Sequence, residues 1–145
     1  MEDGTIKVVV VDDSRDTVDN IATLLSISGR NIEVVGTANG GRDGVKLVQK
    51  LQPDIVLMDI NMPDLDGLTA TGILTASNPD LGVIIMSVQG EQEYLKKAMS
   101  AGAREYLVKP FTSDELVESV EKTYELQNKR KHGSRSPEQN IQSRV

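Results

Sequence analysis

The chain has 145 residues, 38% hydrophobic and 26% charged, which suits one soluble domain with its own core. It contains no cysteine, which excludes disulfides and thiolate metal sites. The net charge of −6 is uneven: Lys129, Arg130, Lys131, Arg135 and Arg144 against Glu138 give the segment from Asn128 onward +4, so the first 127 residues carry −10, a balance that discourages nonspecific nucleic-acid binding by that body. No apolar run approaches the roughly 18 residues of a membrane span. The opening MEDGTIKVVVV lacks a basic flank and makes a poor signal peptide, so a cytoplasmic location is expected.

Five apolar runs alternate with amphipathic stretches. IKVVVV (6–11) is the first, dense in Val with little alternation, as in a strand buried on both faces. Val18, Ile21, Leu24 and Leu25 then share a helical face over 15–27, closed by Ser28-Gly29. IEVVGT (32–37) predicts a second strand, and Val45, Leu47, Val48 and Leu51 a helix over 41–51. Pro53 precedes the third run, DIVLMD (54–59); Leu68, Ile73 and Leu74 mark the next helix. Pro79 precedes GVIIMS (82–87), and Tyr94, Leu95, Ala98 and Met99 follow at helical spacing, ended by Ala101-Gly102-Ala103. REYLVK (104–109) is the fifth strand. Thr112-Ser113-Asp114-Glu115 reads as a capping box opening a helix over 113–127, whose face holds Leu116, Val117, Val120 and Tyr124. Five strand-then-helix units predict an α/β fold: a five-stranded parallel sheet with right-handed crossovers and helices on both faces. Residues 128–145 lack apolar periodicity and are expected to form a basic, disordered linker or tail after a domain over 5–127.

In such a sheet the strand C-termini share one edge, where ligands bind. Strand one delivers Asp12-Asp13 there, strand three Asp59, strand four Ser87, and strand five Lys109-Pro110. Each alone has an ordinary reading: Asp13 as a helix N-cap, Ser87 as a turn residue, Lys109 as a surface lysine. Together they do not, because like charges crowded at a sheet edge repel and a divalent cation relieves that repulsion. An all-oxygen donor set favours a hard ion such as Mg²⁺. Asp13 and Asp59 are the expected direct ligands, with Asp12 direct or through water and the Asn61 backbone carbonyl as a further oxygen. Asp59 is then a plausible nucleophile toward phosphorus, with Mg²⁺, Lys109 and the Ser87 hydroxyl each meeting one equatorial oxygen. The acidic loop after Asp59, with Asp64 and Asp66, is expected to draw in the cation, and Gly67 to give the turn flexibility.

VVVVDDSRD, DIVLMDINMPDLDGL, VIIMS and EYLVKPF, in this order and spacing, resemble the receiver domain of two-component response regulators, the CheY-like superfamily, from about residue 5 to 126. The resemblance implies a flavodoxin-like three-layer α/β/α fold with strand order 2-1-3-4-5. It implies that Asp59 accepts a phosphoryl group from the phosphohistidine of a sensor kinase or phosphotransfer protein. Asp12 and Asp13 would carry Mg²⁺, Ser87 would be the switch hydroxyl, and Lys109 would pair with the phosphate. The Lys109-Pro110 peptide is expected to be cis. Tyr106 occupies the family's aromatic switch position, and phosphorylation is expected to remodel the face of helix four, strand five and helix five, which would control an output domain or effector. No membrane partner, and no direct nucleic-acid binding by the receiver itself, is expected. Two positions depart from the pattern. Val88 is bulkier than the usual Ala or Gly and is expected to narrow access to Asp59. Arg104-Glu105 replaces the paired acids of one DNA-binding subgroup, which weakens the case for that subgroup's homodimer through the same face.

A Mg²⁺-dependent phosphotransferase or phosphatase with an aspartyl-phosphate intermediate shares the nucleophile and metal. It would normally carry its nucleophile on the first strand, an acid two residues later, and a cap domain; here position 61 is Asn and the nucleophile sits on the third strand. A calcium loop starting at Asp59 fails at Asp64, where glycine is required, and at Ala70, where the closing Glu belongs. A dinucleotide site fails because the first strand leads into Asp-Asp, not a glycine-rich turn.

Overall fold

The structure, a computed structural model, describes residues 4–88 and 92–135. Five strands alternate with five helices: β1 Ile6–Val11, α1 Arg15–Ile27, β2 Ile32–Ala38, α2 Gly41–Leu51, β3 Ile55–Asp59, α3 Gly67–Ser77, β4 Gly82–Ser87, α4 Gln92–Ser100, β5 Glu105–Val108 and α5 Ser113–Arg135. The sheet is parallel with order β2-β1-β3-β4-β5, as the sequence predicts. One irregularity falls between Val8 and Val9, where the β1–β2 register shifts.

Strand residues alternate between two apolar cores. Val9, Val11, Val56, Met58, Val83 and Ile85 pack with Val48 of α2, Leu74 of α3 and Ala98 of α4. Val8, Val10, Ile55, Leu57, Ile84 and Met86 pack with Ile21 and Leu25 of α1 and Leu116 and Val120 of α5. Both faces are covered, which is why the strands read as unbroken apolar runs.

Local signals hold at the helix ends. Ser14 caps α1, its side chain accepting from the Thr17 N–H at 3.3 Å. Gly29 follows with φ 75, and Gly102 after α4 with φ 109, the left-handed turns glycine permits. Thr112 and Glu115 form a reciprocal box: the Thr112 N–H donates to Glu115 Oε1 at 2.9 Å and the Glu115 N–H to Thr112 Oγ1 at 3.1 Å.

Two expectations need correction. Ile73 is 43% exposed, and the buried face of α3 is Gly67, Ala70, Thr71 and Leu74. Small residues share this face with Leu74, and Ile73 points away from it. And α5 continues through Arg135, so residues 128–135 are helical rather than an irregular tail. Asn128 to Lys131 contain no helix breaker. Residues 136–145 of the expected tail lie outside the described residues.

Candidate functional site

The C-terminal edge of the sheet collects the charged groups. The Asp12 N–H donates to the Ala38 carbonyl at 3.1 Å, fixing the turn out of β1. The Asp12 carboxylate is fully buried, its Oδ1 accepting from the Ser14 N–H at 2.9 Å. Asp13 is exposed, and because Ser14 is the N-cap, its carboxylate is not spent on capping α1. Asp59 is the last residue of β3 and is buried. One carboxylate oxygen from each of Asp12, Asp13 and Asp59 lies within 4.8 Å of the others.

Lys109 faces this cluster. Its Nζ donates to Asp12 Oδ2 at 2.8 Å and to Asp59 Oδ1 at 3.2 Å. It follows β5 directly, and its N–H donates to the Ser87 carbonyl at 2.8 Å, tying together the two strand ends that carry Ser87 and Lys109. The Lys109-Pro110 peptide is cis. Ser87 is buried at the end of β4, the strand next to β3. Asn61 is exposed between buried Ile60 and Met62, and the Ile60 N–H donates to the Met86 carbonyl at 3.1 Å. Val88, directly after Ser87, is 60% exposed. Tyr106 stands apart from the acids: it is half-buried in β5, opposite Ile85, and lines a crevice between β5 and α5 with Pro110 and Ser119.

Three carboxylates against one ammonium leave the site unbalanced. Burial, and then the charge of Asp12, push the Asp59 carboxyl up from its ordinary 3.8 to about 6, more than Lys109 pulls it back. Burial alone would lower the Lys109 ammonium, but the hydrogen bond from its Nζ to Asp12 and the charges of Asp59 and Asp12 hold it above its ordinary value. Oxygen donors this close, carrying excess negative charge, fit one hard divalent cation.

The acidic loop after Asp59 has another role from the one expected. The Asp66 side chain caps α3, accepting from the Thr69 N–H at 2.8 Å and from Thr69 Oγ1 at 2.9 Å. Burial raises the Asp66 carboxyl, but these bonds leave it below the ordinary range. Asp64 reaches another helix: its Oδ1 accepts from the Gly41 N–H at 3.0 Å and its Oδ2 from the Arg42 N–H at 3.1 Å, at the start of α2. The Arg42 and Gly41 amides hold this carboxyl below its usual range. Both acids thus answer unpaired helix donors and lie outside the cluster of three. Asp66-x-x-Thr69 carried a readable capping signal. Asp64 did not, beyond the absence of a capping side chain at Gly40-Gly41. Gly67, expected to give the turn flexibility, is the first residue of α3 and has a steric reason instead: its backbone lies against the Asp59 carbonyl, where a Cβ would overlap.

Residues 8–121 match the sequence profile of the response regulator receiver domain. The chain belongs to this family. It is a receiver domain of two-component signalling systems. Its relatives include the chemotaxis protein CheY of Listeria monocytogenes, 37% identical over 120 residues that cover 81% of this chain and 97% of that protein. They also include the transcriptional regulatory protein DegU of Brevibacillus brevis, 33% identical over 120 residues, 83% of this chain and 50% of that protein. The chain therefore spans about half the length of DegU and nearly all of CheY. Among solved structures, a CheX–CheY–BeF3–Mg²⁺ complex from Borrelia burgdorferi matches with a TM-score of 0.77 at 26% identity, covering 82% of this chain and 89% of that one. Among the described residues, no helix of this receiver domain is long and apolar enough to cross a membrane.

Proposed function

We propose that the receiver domain is a phosphorylation-activated switch whose phosphoacceptor is Asp59. The observation that carries this reading is the carboxylate itself: it ends a buried strand, 3.2 Å from the Lys109 ammonium and within 4.8 Å of carboxylate oxygens from two other acids. The donor would be the phosphohistidine of a sensor kinase or phosphotransfer protein. An Asp59 oxygen bonds to phosphorus as the N–P bond breaks, and the imidazole, protonated by solvent on its other ring nitrogen, leaves as the neutral base. Lys109 offers its ammonium to one phosphoryl oxygen and Ser87 its hydroxyl to another. Asp13, Asp59, Asp12 and the Asn61 carbonyl are the groups that would hold Mg²⁺, which supplies charge neutralisation for the transferring group. The chain assists its own phosphorylation and dephosphorylation and turns over no separate substrate.

Ser87 and Tyr106 would read the new charge, passing it to the face of α4, β5 and α5 and so to an output domain or effector. Residues 5–127 form the core of the receiver unit, and the basic segment from Asn128 onward, whose residues 128–135 prolong α5, is the connection through which an output domain would be joined. A cytoplasmic location suits this partnership.

The test is incubation with Mg²⁺ and acetyl phosphate. An acid-stable, base-labile label is expected on wild type and none on Asp59→Asn. Sustained hydrolysis of small phosphomonoesters would instead favour the phosphatase reading.

A further inference from the structure

The loop between β3 and α3 carries Asn61 and is fastened at several places. Ile60 and Met62 are buried on either side of it. The Gly67 N–H donates to the Ile60 carbonyl at 2.9 Å, closing the loop on itself. A further fastening reaches another helix: the Asp64 carboxylate accepts from the first two N–H groups of α2.

The surroundings of that contact are shaped for it. Gly40, at the N-cap position of α2, makes no side-chain cap hydrogen bond, so the helix takes its capping carboxylate from elsewhere. A Cβ at Gly40 would stand 3.1 Å from Asp64 Oδ1, and a Cβ at Gly41 would strike the Leu65 carbonyl. Two consecutive glycines thus let the loop seat on the helix. One turn further along, Gly44 packs against Val11, the last residue of β1 and the neighbour of Asp12. Asp64 therefore links the segment after Asp59 to a helix seated on the strand that delivers Asp12 and Asp13.

We infer that Asp64 is a positioning residue for the cation site: by bridging the β3–α3 loop to the N-terminus of α2, it sets the placement of the Asn61 carbonyl relative to the Asp12–Asp13 pair. This rests on the phosphoacceptor reading above. Asp64 lies outside the cluster of Asp12, Asp13 and Asp59 and would act on the cation only through the loop. Residues that orient metal ligands typically alter metal affinity by tenfold or more when removed.

The test is calorimetric titration of the full chain with Mg²⁺, well below the melting temperature, on wild type, Asp64→Asn, Gly41→Ala and Arg30→Ala. Asp64→Asn keeps the side chain's size but turns one of its two acceptors into a donor. It is expected to raise the Mg²⁺ Kd roughly tenfold and to slow labelling by acetyl phosphate at limiting Mg²⁺, with recovery at saturating Mg²⁺. Gly41→Ala, which keeps Asp64 but pushes Leu65 off the helix, is expected to weaken Mg²⁺ in the same direction and decides the matter if Asp64→Asn does not fold. Arg30→Ala removes a bridge to Glu121 distant from the acids, and should bind Mg²⁺ as wild type does. A Kd within twofold of wild type for the folded loop variants overturns the inference. So does equal weakening in Arg30→Ala, which would mark a general loss of stability. A wild-type chain that neither binds Mg²⁺ nor takes label sinks the phosphoacceptor reading itself; one that does both while the loop variants match it sinks only the role of Asp64.

Discussion

The two edges of the sheet handle polar groups in opposite ways. At the N-terminal edge, backbone and side-chain groups close contacts with one another. Asp54 Oδ2 accepts from the Lys7 N–H at 2.9 Å, the Asp54 N–H donates back to the Lys7 carbonyl at 2.9 Å, and the Gly82 N–H donates to the Asp54 carbonyl at 3.1 Å, so one residue latches β1, β3 and β4. Buried Gln127 of α5 donates through Nε2 to the Leu81 carbonyl at 3.2 Å and the Pro79 carbonyl at 3.4 Å. At the C-terminal edge Asp12, Asp13 and Asp59 cluster together, and one ammonium pairs with only two of them. One edge is built for closure, and the other keeps an excess of charge that an incoming cation and phosphoryl group can use. The contrast separates polar groups that hold the fold from polar groups held by it.

The largest stability effect should come from the C-terminal edge. In divalent-free buffer at pH 7, Lys109→Ala strands buried Asp12 and Asp59 together and should cost about 3 kcal/mol, read by urea denaturation. Part of that loss should return at pH 5, where Asp59 takes a proton. A cost below about 1 kcal/mol would show that the ammonium is not what restrains these acids.

Next in size is the contribution of Asp59 itself. Its folded pKa of about 6 lies above the ordinary 3.8, so the native state binds the proton more tightly than the unfolded chain does. The resulting stability is fully present below 3.8 and is lost as pH rises through 6. Without divalent cations, Asp59→Asn should therefore be more stable than wild type at pH 7 by about 2 kcal/mol, the full value of the shift reduced by solvent screening, with the gap closing toward pH 4. Parallel stability curves for the two proteins would break the contrast between the edges. The smallest effect belongs to the opposite edge: Asp54→Ala should cost about 1 kcal/mol and leave the Mg²⁺ Kd unchanged.

Much of this was legible in the sequence because it is local. Strands covered on both faces leave unbroken Val and Ile runs, and Thr112 and Glu115 lie three residues apart as a capping box requires. The acids at strand ends were legible because parallel topology sends every strand end to one edge. Asp66 left a local capping signal in Asp66-x-x-Thr69, but a carboxylate that caps a helix and one that draws a cation look alike in sequence, so its role reads as cation attraction there. Asp64 is the harder case, because its partners lie 22 and 23 residues away. The steric role of Gly67 was hidden for the same reason, depending on where the Asp59 carbonyl comes to rest. The extra turns of α5 were missed because a polar helix end shows no apolar periodicity.

The most direct measurement is an NMR titration of the Asp59 side-chain carboxyl carbon with and without Mg²⁺. The account predicts a midpoint near 6 in divalent-free buffer, set by burial and by Asp12, and a fall of at least about one unit when Mg²⁺ is present. A midpoint near 3.8 without the cation, or one that saturating Mg²⁺ does not move, would contradict it.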